Sequence, residues 1–259
     1  MPQLTLDLNK GVATVTITNP PLAVMDPGTL KELSELLPRL RESDVRAVVF
    51  TGGVPGFFIR HYSVVDLDRA AQGQQGAAET PINIHELFME FENLPKPVIA
   101  ALNGSAMGGG WEFAMALDLR VAKDGPWRFG LPEISVGILP GAGGTQRLTN
   151  LVGRGRALEM MLLARTVTPS EALAYGMIEE LVPADSAETA LQRAQAVAAE
   201  IAARPPLAVA HIKRLARAAV SPVSRDLLRL EGQLFGELMA TEEAKTLLAR
   251  VAAQHRSGS

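Results

Sequence analysis

Two glutamates in glycine-rich surroundings are the residues of this chain best suited to chemistry. Glu112 follows a run of three glycines at 108–110, and Glu133 follows Pro132 in a second segment rich in glycine and proline. Glycines let the backbone approach a ligand closely. The first N–H groups of a helix have no partner inside that helix. A helix starting at the glycine run therefore offers donors to an oxygen that is becoming negative.

The two carboxylates differ in whether a reason other than catalysis would place an acid at their positions. A carboxylate in a first helical turn, such as Glu112, is also favoured by the helix dipole, for reasons unrelated to catalysis. Glu133 has mainly apolar neighbours, and burial would raise its pKa and keep a proton available near neutral pH. Two such acids beside one set of backbone donors indicate proton movement around a polarised carbonyl. Their spacing in the sequence leaves open whether they converge.

The stretch that contains both glutamates resembles a known signature. NGSAMGGGWEFAMALDLRVA followed by FGLPEISVGILPGAGGTQRL is similar to the motif of the crotonase superfamily, the enoyl-CoA hydratases and isomerases. The resemblance implies an α/β fold, a crotonase-like spiral of β-β-α units with a C-terminal helical region. We expect the spiral core at residues 1–198 and a helical oligomerisation region at 199–259. It also implies a homotrimer or homohexamer.

The resemblance further implies a role for each matching position. Glu112 and Glu133 correspond to the catalytic pair of the hydratases, with Glu112 activating water and Glu133 delivering a proton. The backbone N–H groups of Gly109 and Tyr62 correspond to the oxyanion hole. The substrate implied is an acyl-CoA thioester. No separate cofactor is implied, because coenzyme A is part of the substrate.

Residues 57–67, FFIRHYSVVDL, depart most from the family's usual pattern. Arg60 and His61 stand where small residues are usual, and Val65 replaces a lysine that often contacts CoA. The side chains of His61 and Tyr62 either add polar groups beside the substrate or form the wall of its pocket. We favour the wall, since a lone His or Tyr is usually packed and hydrogen-bonded.

A set of residues around the two motifs is expected to contact the substrate. Added bulk at 60–62 and a large ring beside Glu112 predict a narrower acyl pocket than the family usually has. Val251 and Gln254, where the family commonly has Phe and Lys, predict weaker contacts to CoA. The expected substrate-binding residues are Arg60, His61, Gly108, Gly110, Trp111 and Gly141.

Three functions fit the resemblance, and hydration of an enoyl-CoA is the first. The second is another reaction through a stabilised enolate, either double-bond isomerisation or hydrolytic C–C cleavage of a 1,3-dicarbonyl. Isomerases of the family often keep only the acid that matches Glu133, so the presence of Glu112 favours hydration. The third is a non-catalytic homologue that binds RNA. An acidic pI of about 5.9 argues against it.

The flanking sequence predicts the elements that hold the motifs. Residues 4–9 and 12–18 alternate around a turn, as in a hairpin. Asp26 before Pro27 predicts a helix start, and Pro38 should bend or end that helix early. Residues 46–51 and 98–102 are typical of buried strands. Residues 70–80 predict a mobile loop, whereas 141–144 predict a tight turn that opens a helix rather than a dinucleotide-binding motif.

Composition limits the remaining possibilities. The 259 residues, 47% hydrophobic, suffice for one substantial core. A net charge of −3 provides no basic field, so we expect neither nucleic acid nor a membrane as partner. The chain has no cysteine, which excludes disulfides and thiolate ligands, and we propose no metal site. Without a recognisable signal peptide or long apolar run, a soluble cytoplasmic protein is expected.

Overall fold

Ten strands, eleven α-helices and a short 3₁₀ helix make up the part of the chain described by the computed structural model, residues 3–74, 82–220 and 223–256. The strands are β1 (Leu4–Asn9), β2 (Val12–Ile17), β3 (Ala47–Gly52), β4 (Gly56–Ile59), β5 (Val98–Leu102), β6 (Gly104–Met107), β7 (Leu119–Lys123), β8 (Phe129–Gly130), β9 (Thr166–Val167) and β10 (Glu180–Val182).

The helices follow the strands along the chain. They are α1 (Pro27–Arg41), α2 (Val64–Ala71), α3 (Ile84–Glu92), α4 (Gly109–Ala116), α5 (Gly144–Val152), α6 (Arg154–Leu162), α7 (Pro169–Ala174), α8 (Ala190–Ala202), α9 (Pro206–Ala219), α10 (Arg225–Met239) and α11 (Glu242–Arg256). The 3₁₀ helix covers Glu133–Val136. Within the described ranges, no helix combines the length and apolar character needed to cross a membrane.

Two sheets are built from consecutive strand pairs. The first has the order β1-β2-β3-β5-β7-β10 and the second β4-β6-β8-β9. The β1–β2 pair is an antiparallel hairpin, whereas β2, β3, β5, β7 and β10 run parallel. Each of the pairs β3–β4, β5–β6 and β7–β8 contributes one strand to each sheet before the chain enters a helix. The chain therefore winds as a spiral of β-β-α units, as predicted.

Helix α1 shows where local signals predicted the fold and where one did not. The Asp26 carboxylate accepts the Thr29 N–H at 2.8 Å and caps the helix beside Pro27. Of the two outcomes predicted at Pro38, a bend or an early end, the early end does not occur, because α1 continues to Arg41. Burial of the leucines on both sides of Pro38, at 37 and 40, outweighs the hydrogen bond that the proline cannot donate.

The first sheet is covered on both faces. On one face the alanines of α8, such as Ala194 and Ala198, pack against Val49, Ala101 and Val121. The other face belongs to the main core, which includes residues of α1, α3 and α4. A domain boundary after residue 198 would fall inside α8. The division of the chain into a core and a helical region thus remains a prediction.

The last helix, α11, lies in the region predicted to be helical, although its own bounds were not predicted. Its Ala244 and Leu248 pack in one apolar cluster with Val64 and Leu67 of α2. The Ala244 N–H donates to the Thr241 hydroxyl at 3.1 Å, which is a capping signal that precedes an apolar repeat at four-residue spacing. Of the loop predicted at 70–80, Ala70 and Ala71 belong to α2, and residues 75–80 lie outside the described part of the chain.

Candidate active site

A cavity of about 1030 Å³ lies where the two motifs meet. Both glutamates line it, together with Gly108, Gly109 and Tyr62. Its remaining wall comes from distant parts of the chain, including the start of α1, helix α2 and the C-terminal helices α10 and α11. The carboxylates at 112 and 133, which the sequence left unconnected, therefore share one cavity.

The two expected backbone donors are neighbours in this cavity. Met25 donates its N–H to the His61 carbonyl at 2.9 Å and accepts the Ser63 N–H at 2.7 Å. Because residues alternate in direction along an extended strand, the intervening Tyr62 directs its own N–H to the opposite side. A Cβ atom at Gly109 would lie 3.5 Å from that nitrogen.

Gly109 owes its free donor to its position at the start of α4. Gly108 is the N-cap, with φ of +51°, and the first intrahelical bond runs from the Glu112 N–H to the Gly108 carbonyl at 2.9 Å. The N–H of Gly109 precedes that bond and has no acceptor inside the helix. The N-terminal end of the helix dipole adds positive potential at the same place.

Glu112 is held from the side opposite the glycine run. This residue is only 2% exposed, and its Oε1 accepts hydrogen bonds from the N–H groups of Ala142 and Gly144, both at 2.8 Å. Burial raises the pKa of Glu112 to about 7, and the nearby Glu231 carboxylate adds to the rise. The two N–H donors act in the opposite direction. Near neutral pH this carboxyl can therefore either hold or release a proton.

Glu133 faces the same cavity from the 3₁₀ helix. Its Oε2 is buried and, among the described residues, has no hydrogen-bond partner. A Cβ at Gly108 would lie 3.1 Å from Oε1, so the carboxyl rests against the glycine run. Burial first, and then the charge of Glu112, raise the pKa of Glu133 well above its usual range. The two acids therefore favour sharing a proton over ionising together.

His61 and Arg60 also line the cavity, as expected. The His61 Nδ1 lies 2.6 Å from the Tyr62 carbonyl, which can only accept, so Nδ1 is the donor. The ring stacks on His255 of α11 with centroids 5.1 Å apart. Burial lowers the pKa of His61 to about 4 and raises the pKa of Tyr62 to about 12. Both side chains are thus neutral at physiological pH, and they form part of the cavity wall without adding charge to it.

Two of the expected substrate contacts lie elsewhere. Trp111 is fully buried and stacks on Phe129, with ring centroids 5.2 Å apart, so it does not narrow the cavity. Gly110 also lies behind the cavity wall, where a Cβ would come within 2.2 Å of the Ile59 carbonyl oxygen. In contrast to the expectation, neither residue lines the cavity. Gly108 and Gly141 do line the cavity.

The sequence reasoning missed residues from the C-terminal helices. Phe235 and Met239 of α10, and His255 of α11, line the cavity with the expected residues, and so does Val251. Glu231 of α10 lies behind it, only 4% exposed. The available signal for Glu231 was its place on the apolar stripe of α10, at helical spacing from Leu227, Leu228 and Phe235. Within the described residues, no group of three or more His, Asp or Glu side chains is arranged to hold a metal ion.

The site geometry can be compared with known proteins. The family model described as enoyl-CoA hydratase/isomerase matches residues 7–253. The chain belongs to this family. The resemblance of its central motif is thereby confirmed, and the protein is an enzyme of the enoyl-CoA hydratase/isomerase family.

Individual relatives agree with the family assignment. The chain is 35% identical over 239 residues to a short-chain-enoyl-CoA hydratase of Clostridium acetobutylicum, covering 90% of this chain and 88% of that protein. It is 36% identical over 183 residues to a fatty acid oxidation complex subunit alpha of Shewanella loihica, covering 68% of this chain and 25% of that protein.

A solved structure confirms the predicted fold class. The crystal structure of a candidate enoyl-CoA hydratase from Streptomyces avermitilis matches with a TM-score of 0.86 and 30% identity. The match covers 97% of this chain and 90% of that one. The α/β spiral with C-terminal helices is therefore common to the two proteins.

Proposed function

We propose that this enzyme adds water across the double bond of a trans-2-enoyl-CoA thioester to form a 3-hydroxyacyl-CoA. The observation that carries the proposal is the convergence of Glu112 and Glu133 on one cavity beside the Gly109 and Tyr62 N–H groups. Water addition to an enoyl thioester needs a base, an acid and a site for developing negative charge. This cavity contains a candidate for each.

The backbone donors would bind the thioester oxygen. As water attacks C3, electron density moves through C2 to that oxygen, which acquires enolate character. The N–H groups of Gly109 and Tyr62 then gain strength as its negative charge grows, and preorganised donors of this kind favour the transition state over the substrate. The Tyr62 hydroxyl has no part in this step, since the donor is the main chain.

The two glutamates would divide the proton transfers. Ionised Glu112 takes a proton from water as the water oxygen bonds to C3, and protonated Glu133 gives a proton to C2. The carbonyl re-forms and both atoms of the former double bond are saturated. A proton passing from Glu112 to Glu133, directly or through solvent, restores the starting state. Because Oε1 of Glu112 is occupied by two peptide N–H groups, we assign water activation to Oε2.

Coenzyme A enters this reaction only as part of the substrate, so the proposal includes no separate cofactor. Relatedness to a short-chain-enoyl-CoA hydratase and to a fatty acid oxidation subunit supports a fatty acyl thioester. Arg60, His61, Gly108 and Gly141 are the proposed contacts along the cavity. A cytoplasmic location, and no nucleic acid or membrane as partner, belong to the same proposal.

We also propose that the protein is a homotrimer or homohexamer. Large apolar side chains are exposed on the outer faces of three helices, a pattern that suits contact between copies. They are Leu158 and Leu162 on α6, Leu207, Ile212 and Leu215 on α9, and Leu227, Leu230 and Leu234 on α10. Light scattering coupled to gel filtration tests this, and a monomer at micromolar concentration would contradict it.

Crotonyl-CoA hydration by the wild type and by Glu112→Gln and Glu133→Gln tests the function. Each amide keeps the shape of the carboxyl and removes its proton exchange. General acid–base groups contribute roughly 10²- to 10⁴-fold, so both variants should lose at least about 100-fold in kcat. Glu35→Gln, an exposed site on α1, is the matched control and should retain activity. A wild type inactive on enoyl-CoAs of every chain length would refute the proposal.

A further inference from the structure

Glu231 binds the same loop as Glu112, from the other side. Its Oε1 accepts the Gly143 N–H at 2.6 Å, and its Oε2 accepts the Thr145 hydroxyl. The N–H groups on either side, those of Ala142 and Gly144, go to Glu112. Three successive peptide N–H groups therefore alternate between two buried carboxylates. We call the peptides at 142–144 the peptide cradle.

The backbone of the peptide cradle depends on this arrangement. Gly143 has φ of +88°, a conformation that side chains rarely adopt, and it turns the middle N–H toward α10. Arg147 adds a third anchor, with Nη1 donating to the Ala142 carbonyl at 2.6 Å. Without the bond to Glu231, the middle peptide would lose its acceptor inside the protein. The two flanking N–H groups, and with them Glu112 Oε1, would then be less well placed.

We propose that Glu231 is a positioning residue for Glu112, which it serves by anchoring the middle of the peptide cradle and by keeping a negative charge behind the catalytic carboxyl. Both Glu231 oxygens act as acceptors, as in an ionised carboxylate. A fixed negative charge there favours the protonated form of Glu112. This inference rests on the proposed function, in which Glu112 is the base.

Other charged groups face Glu231 and have to be separated from its effect. The His85 Nε2 on α3 lies 3.3 Å from Oε1. Glu112 on α4 and Glu133 on the 3₁₀ helix feel its charge across the cradle, and Arg147 on α5 lies against the same loop. Of these, His85 is the side chain in direct reach of a Glu231 oxygen, so its contribution is removed by substitution in the test.

The charge is tested by titrating Glu112 directly. In Glu231→Gln, the amide oxygen can still accept the Gly143 N–H and the amide nitrogen can donate to the Thr145 hydroxyl, so mainly the charge is lost. Carboxyl ¹³C NMR, with the Glu112 signal identified by its loss in Glu112→Gln, should show the apparent pKa of Glu112 falling by about one unit. The shift should also occur in a His85→Gln background.

Asp226→Asn is the matched control, because it removes an exposed carboxylate from the same helix. It should leave the Glu112 titration unchanged. A Glu112 titration that is the same in Glu231→Gln and wild type overturns the proposal. If Glu231→Gln does not fold, His85→Lys places a cation beside Glu231 and should also lower the apparent pKa of Glu112. An unchanged Glu112 titration in that variant would likewise overturn the proposal.

The anchoring role is tested by kinetics at each variant's optimum pH. Glu231→Ala leaves the buried Gly143 N–H without its acceptor and should lower kcat by roughly tenfold or more. Glu231→Gln should largely restore kcat, with the acid limb of its pH profile moved to lower pH. Equal losses in both variants would overturn the anchoring role. Wild-type inactivity would refute the proposed hydration, whereas the NMR titration needs no turnover and decides the charge effect independently.

Discussion

Replacing Glu112 with glutamine should stabilise the fold at alkaline pH, although it destroys the proposed base. Burial raises the pKa of this carboxyl from an ordinary value of 4.5 to about 7. Above that pH the folded protein has to carry an ionised group that is 2% exposed. Glutamine removes the charge, and its amide oxygen can accept the same two N–H groups of the peptide cradle.

The magnitude follows from the difference between the folded and unfolded pKa values. A folded pKa above the unfolded one gives a stabilisation that is complete below about pH 4.5 and is lost as the pH rises through about 7. At 1.36 kcal/mol for each pKa unit, the loss is about 3 kcal/mol in the free energy of unfolding. An ion-paired surface carboxylate has the opposite pH dependence, because its pKa is lowered on folding and it stabilises the fold at high pH.

Chemical denaturation of wild type and Glu112→Gln at about pH 4.5 and 8.5 measures the effect. The difference in unfolding free energy should move in favour of the variant by about 3 kcal/mol between these pH values. Glu35→Gln, with an exposed carboxylate on α1, should show no such change. A difference that is independent of pH, or that shrinks at alkaline pH, would refute the reasoning about burial.

Three further predictions concern catalysis. Gly109→Pro should lower kcat by roughly 10²- to 10³-fold, because it removes one oxyanion donor. Tyr62→Phe, which keeps the backbone donor and removes only the hydroxyl, should be far milder. The pH–rate profile should be bell-shaped, falling below about pH 7 as Glu112 is protonated and falling again at high pH as the second buried acid ionises; a flat profile from pH 5 to 10 would contradict the two-acid mechanism. Gly144→Ala should impair turnover, since its Cβ would lie 2.7 Å from Glu112 Oε1. The control, Gly155→Ala in α6, meets nothing within 4 Å and should stabilise the fold by about 0.5–1 kcal/mol. Equal turnover in these two variants would show that the peptide cradle tolerates displacement.

Local patterns predicted the elements that depend on neighbouring residues. The opening hairpin, the capped start of α1 and the buried strands at 47–52 and 98–102 follow from alternation, capping and apolar runs. The start of α4 at the glycine run was predicted for the same reason. The continuation of α1 past Pro38 shows the limit of this reasoning, since packing of the residues around it outweighed a local signal.

The candidate site was predictable where its residues lie inside one continuous motif. Trp111 does not line the cavity because adjacent helical residues point about 100° apart, so the neighbour of a cavity-facing glutamate faces the core. Glu231 was missed because it lies 88 positions from Gly143, and no short pattern connects them. The same is true of His255, whose stacking on His61 depends on how α11 packs against α2.

The position of α11 in the chain has a consequence for biosynthesis. Both proposed catalytic acids and the glycine run emerge from the ribosome well before the helix that supplies Val251 and His255 to the cavity wall. Until α11 folds back, the apolar side chains of α2, such as Val64 and Leu67, have no cover from it. At that stage the nascent chain exposes these apolar side chains beside an incomplete pocket. Intermediates with exposed apolar surface are the kind that chaperones bind. The cavity wall is therefore complete only after α11 has been synthesised and has packed against α2.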